Sequence, residues 1–108
     1  MNIDISFKNL DSSDAIKTYI TEKTEKLNKY FNGRVHVTWN ISLERQNRVV
    51  HCHLLGNNMD FFAEEATNDL TGSIDLCVDK IEKQIRKHKE IVKDHLHKTA
   101  TPSGAGHE

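Results

Sequence analysis

Proline, glycine and cysteine are all scarce, and each scarcity removes a class of function. The 108 residues contain one proline and five glycines. The proline and two of the glycines fall in the final stretch, TATPSGAGHE. No Gly-rich phosphate loop, Ser or Cys nucleophile motif or HExxH pair is present, so catalysis has no support and no cofactor is expected. The two cysteines, Cys52 and Cys77, lack CxxC spacing and sit in apolar patterns. That points to buried free thiols in a reducing cytoplasm rather than to a disulfide. No apolar run is long enough to cross a membrane, and the N-terminus shows no signal-peptide pattern. The formal net charge is −1, so bulk attraction to nucleic acid is excluded. Electrostatic binding has to come from segregation of charge within the chain.

Such segregation is present. Residues 1–79 hold 8 Lys/Arg against 12 Asp/Glu, a net of −4, whereas residues 80–98 hold 7 against 3, a net of +4. The basic part lies in Asp69–Lys98, where Ile74, Cys77, Val78, Ile81, Ile85, Val92 and Leu96 recur at helical spacing. A helix of about 25 residues spans roughly 37 Å, longer than ordinary strands, so its last turns should overhang the body. At 100° per residue Lys80, Lys83 and Lys87 fall on one flank of the apolar stripe, and Arg86, Lys89 and Lys93 on the other. Glu–Lys pairs at i, i+4 on a solvated helix account for the pattern as well as a cationic rod laid on RNA or DNA phosphates does.

The remaining periodicities predict one α+β domain over residues 1–98, with a disordered tail over 99–108. Ile3, Ile5 and Phe7 alternate with polar residues and predict a first strand. Asp11, Ser12 and Ser13 are N-cap candidates for a helix over Ser13–Phe31, with Asp14 near the positive end of its dipole. Ile16, Tyr19, Ile20, Leu27, Tyr30 and Phe31 form its apolar face. Lys23 and Thr24 interrupt that face, which predicts shallower burial at mid-helix with the Lys23 stem reaching outward. Asn32-Gly33 is the stop. The clearest strand covers Val35–Leu43, followed by a polar turn, a strand over Val49–Leu55 and a weaker strand over Met59–Ala66. Ala63–Ala66 is equally good helix. Strand, helix, three strands, helix is solved economically by a four-stranded sheet with two helices on one face. With the helices side by side, Lys23, Lys26 and Lys29 should border the same groove as Lys80, Lys83 and Lys87. Such a groove suits structured RNA read by shape and phosphate position.

Other chemistry-bearing residues have plainer readings. His51 and His53 leave one strand on the same face, and His36 joins them from its neighbour. Three imidazoles on an open face could hold a metal adventitiously, but there is no fourth ligand and no pocket, so no metal site is assigned. His88 and His95 border the apolar stripe of the long helix. Tyr19, Tyr30 and Trp39 could stack on bases, yet all three occupy core-facing positions.

The first strand's Phe7 and Leu10, the segment EKLNKYF, the pattern AT, ND, L and ID over Ala66–Asp75, and DKIEKQIRKHKE together resemble a known family. It is the ribosome hibernation-promoting factor family, also called ribosome-associated inhibitor A or sigma-54 modulation proteins. The resemblance runs from residue 1 to about residue 95. It implies a β-α-β-β-β-α fold like that of the double-stranded-RNA-binding domain. It implies binding to the small ribosomal subunit and the whole ribosome at the decoding region, through 16S-type rRNA. Blocking messenger and transfer RNA there inhibits translation in stationary phase or stress. Carried onto this sequence, the rRNA-binding residues are Lys80, Lys83, Arg86, Lys87 and Lys89, with Lys23, Lys26 and Lys29. No small-molecule substrate and no membrane partner are expected, and the free protein is expected to be a monomer. A second reading is a protein-interaction module whose basic helix meets an acidic partner such as a transcription factor.

Two departures stand out. Thr71 occupies the place of the family's usual Tyr, and Gly72 after it weakens the helix start by about 1 kcal/mol relative to Ala. The chain also ends soon after the long helix, so it is expected to be a short-form member without the C-terminal dimerisation domain of long ones. The tail does not assign it to those that promote or those that prevent ribosome dimerisation.

Overall fold

The computed structural model describes residues 1–56 and 58–97, with the helical backbone alone over residues 90–97. The expected tail over 99–108, Lys98, and the side chains of Val92, Lys93, His95 and Leu96 lie outside the described residues. The elements are β1 (Asn2–Lys8), α1 (Asp14–Glu25), a 3₁₀ segment (Lys26–Tyr30), β2 (Val35–Glu44), β3 (Asn47–Gly56), β4 (Met59–Thr67) and α2 (Leu70–His97). The sheet order is β1-β2-β3-β4, with β1 parallel to β2 and both hairpins antiparallel. Both helices cover one face, which gives the two-layer α+β arrangement. No helix among the described residues is long and apolar enough to cross a membrane.

Period-two alternation explains the sheet. Val37, Trp39 and Ile41 of β2, Val50, Cys52 and Leu54 of β3, and Phe61 and Ala63 of β4 all point into the core. Against them pack Ile20 and Leu27 from α1 and its 3₁₀ extension, and Ile74, Cys77, Ile81 and Ile85 from α2. Ala63–Ala66, ambiguous by composition, is strand because β3 pairs with it through Arg48↔Thr67. The ladder satisfies its backbone groups, and that outweighs the helix propensity of Ala and Glu. The β2–β3 hairpin closes with only Arg45 and Gln46 between its last paired residues, Glu44 and Asn47. Arg45 takes the required positive φ of 61° in place of the usual glycine.

Ser13 caps α1, its hydroxyl accepting from the Ile16 amide at 3.2 Å. The middle of α1 is not shallow, contrary to the expectation from Lys23 and Thr24. Thr24 is fully buried, its hydroxyl donating to the Ile20 carbonyl at 2.6 Å and accepting from the Trp39 indole at 3.1 Å. A polar residue enters the core because both of its hydrogen-bonding needs are met there. At the start of α2, the Thr71 hydroxyl bonds Asp69 Oδ1 at 3.2 Å. A Cβ at Gly72 would stand 3.0 Å from Asp69 Oδ2. Glycine there leaves room for the Asp69 carboxylate over the first turn. At 28 residues α2 is about 42 Å long, against about 33 Å for a ten-residue strand.

Candidate nucleic-acid interface

The burial of Ile74, Cys77, Ile81 and Ile85 sets the rotation of α2, and that rotation distributes its charges. α2 lies over β3 and β4. On its β4 side, Lys80 pairs with Glu65, Gln84 Nε2 donates to the Phe62 carbonyl at 2.9 Å, and His88 meets Phe61 edge-on at 5.8 Å. The hydrogen bond to Glu65, aided by its charge, holds the Lys80 ammonium above the usual lysine range. The outer surface carries Lys83 and Lys87, with Leu76 45% exposed beside them. Lys83 reaches back one turn to Asp79 at 3.1 Å.

The side facing α1 is different. Tyr19 donates its hydroxyl to Asp75 at 2.5 Å, and Lys23 Nζ lies 3.9 Å from the same carboxylate. That hydrogen bond, with burial, pushes the Tyr19 phenol up to about 12. Tyr30 donates to Glu82 at 2.7 Å, while Arg86 lies 3.3 Å from the Tyr30 hydroxyl and 3.4 Å from Glu82. Lys29 stands over the Tyr30 ring at 5.3 Å and Lys89 over Phe31 at 6.0 Å, cation–π placements that hold both ammoniums near the seam.

The structure therefore corrects one sequence expectation. Lys23, Lys26 and Lys29 do border a groove between the helices, but Lys80, Lys83 and Lys87 do not face them across it. The opposite lip is Asp75, Val78, Asp79 and Glu82. Among the described residues, Arg86 and Lys89 are the basic residues of α2 on the α1 side. The eight cations thus form a track along α1 and its 3₁₀ extension, a second along the outer and β4 sides of α2, and two members between them beyond the groove. Tyr19 and Tyr30 are not core residues like Trp39; they are half-buried, with hydroxyls on α2 carboxylates. Sequence reasoning missed the carboxylate lip. Its signal was available, since Asp75, Asp79 and Glu82 sit at i, i+4 and i+7 and so share one helical face.

On the opposite, open face of the sheet the three imidazoles do not converge. His36 bonds Asp4 at 2.9 Å, His51 meets Glu64 at 3.4 Å and His53 bonds Asp60 at 2.6 Å. Phe62 sits edge-on to both His51 and His53, at 5.8 and 6.3 Å. Each histidine is held by its own carboxylate. Cys52 and Cys77 are free and buried, and Cys77 Sγ donates to the Val50 carbonyl at 3.4 Å. Burial pushes both thiols far above the usual range.

A ribosome hibernation promotion factor of Lactococcus lactis subsp. cremoris is 33% identical over 107 residues, covering 96% of this chain and 57% of that protein. The chain therefore spans little more than half the length of that relative. A ribosome hibernation promoting factor of Azotobacter vinelandii is 30% identical over 90 residues, 83% of this chain and 84% of that one. The crystal structure of the N-terminal domain of Thermus thermophilus Protein Y matches with a TM-score of 0.75 at 27% identity. That match covers 82% of this chain and 99% of that domain. The family model described as sigma 54 modulation protein / S30EA ribosomal protein matches residues 3–93, and the chain belongs to that family.

Proposed function

We propose that this chain is a ribosome hibernation factor, which binds the small ribosomal subunit in the cytoplasm and silences it by occupying the decoding region. The action is occlusion, without chemistry at the site. The observation that carries the reading is the placement of half-buried Lys23 and exposed Lys26, Lys29, Lys80, Lys83, Arg86, Lys87 and Lys89 on the helical layer of a chain whose formal net charge is −1. Segregated charge of this kind positions a protein on an RNA backbone while the acidic remainder limits indiscriminate polyanion binding. The names of the Lactococcus and Azotobacter relatives support the same reading.

Sucrose-gradient sedimentation with purified subunits and whole ribosomes, at low and high salt, tests it. The wild type should travel with the small subunit and the whole ribosome at low salt and be released at high salt. Lys83→Glu/Lys87→Glu should stay at the top of the gradient. A wild type that remains at the top at low salt refutes ribosome binding.

A further inference from the structure

The groove between the helices is not a uniform phosphate cradle. It encloses about 260 Å³ and is lined by Lys23, Lys26 and Lys29 on one lip, and by Asp75, Asp79 and Glu82 on the other. Leu27 and Val78 lie between them. This volume is just below the ≈300–1,000 Å³ of pockets that enclose drug-sized ligands, so it suits part of a nucleotide. Phosphates cannot follow the carboxylate lip, because like charges repel there. They can follow the lysine lip, where Lys26 and Lys29 have no carboxylate partner among the described residues.

We propose that this groove is a base-reading slot. Its lysines take the phosphate, its apolar floor takes the face of an unpaired base, and its carboxylates accept from that base's amino group. The inference rests on the ribosome-binding reading and adds which RNA the site selects. Each carboxylate has about four lone-pair directions. Asp79 spends only part of its capacity on Lys83, with its side chain 54% exposed. Asp75 is 50% exposed beside Lys23. Cytosine N4, adenine N6 and guanine N2 offer amino donors with two N–H groups for the carboxylates, whereas an unpaired uracil has no amino group and offers a single N3–H. In folded RNA those edges reach a protein mainly from loops, bulges and ends. A regular duplex presents backbone instead, and the carboxylate lip disfavours it.

Fluorescence anisotropy of the full chain with oligocytidylate, oligouridylate and duplex RNA of equal length tests the slot. The wild type should prefer oligocytidylate over oligouridylate by about fivefold or more, the lower end of what one well-placed base contact supplies. Asp79→Ala should reduce that preference and Asp75→Ala/Asp79→Ala should abolish it, while duplex binding tightens in both. Circular dichroism checks that both variants fold, and the exposure of Asp79 makes the single variant the secure one. A wild type indifferent to base, or a preference that survives the double variant, overturns the slot. Sedimentation of the same wild type with small subunits separates the two claims. Subunit binding without base preference removes the slot alone, and failure to bind subunits removes the ribosome reading with it.

Discussion

The buried contact between Thr24 and Trp39 yields a quantitative test of how α1 is held to the sheet. Thr24→Val keeps the volume and β-branching but removes the hydroxyl that accepts from the Trp39 indole at 3.1 Å. Trp39 is 0% exposed, so water cannot replace the lost acceptor. An orphaned buried donor costs about 1–3 kcal/mol. Burial of the new methyl returns about 0.8 kcal/mol. The Ile20 carbonyl, which loses the Thr24 hydroxyl, keeps the helical amide of residue 24 as its donor. The net expectation is a loss of about 0.2–2 kcal/mol, or up to roughly 10 °C in Tm for a domain of this size. Far-UV circular dichroism is the assay, because Trp39 is the single tryptophan and fluorescence is lost in the second background. In Trp39→Phe the donor is gone, so Thr24→Val should there cost nothing or stabilise slightly. Equal cost in both backgrounds refutes the argument, since the coupling term would be zero.

Three further outcomes are expected. If all eight cations reach phosphates, log K against log salt should have a slope of about −6 to −7, and Lys87→Ala should reduce its magnitude by about 0.7–0.9. A slope unchanged by Lys87→Ala in anisotropy titrations places that lysine off the RNA. Gly56→Ala should destabilise by about 1–3 kcal/mol in urea titrations, because the added Cβ would stand 2.7 Å from the Arg34 carbonyl oxygen. Stability equal to wild type shows that the strand ends separate freely. Cys52 and Cys77 should not react with a disulfide reagent at pH 8 until the chain unfolds, since burial raises both thiols, Cys77 to about 12. The folded state then keeps protons that the unfolded chain sheds above about pH 8.5, so this contribution is intact below that pH and lost as pH rises. Rapid labelling of the native protein contradicts the burial.

Much of the architecture was legible from local pattern, and the residues show where legibility stopped. Val35, Val37, Trp39, Ile41 and Leu43 declare a strand with one buried face, and Ile74, Cys77, Ile81 and Ile85 declare a helix with one buried stripe. Period and side-chain direction are local properties of the backbone. Ala63–Ala66 did not declare itself, because its state depends on pairing with β3 across the sheet. Thr24 looked like a break in an apolar face. Only the indole of Trp39, brought from another element, makes it a core residue.

The candidate site divides in the same way. The sequence alone determined that the chain's cations gather on helices and which residues they are, because charge order and helical spacing are written in it. The tertiary structure decided which cations face which neighbours. α1 is bonded to β2 while α2 lies over β3 and β4, so the side of α2 turned towards α1 is the one bearing Asp75, Asp79 and Glu82. A helical wheel gives angles around one axis, and what lies at each angle is set by long-range packing of the core.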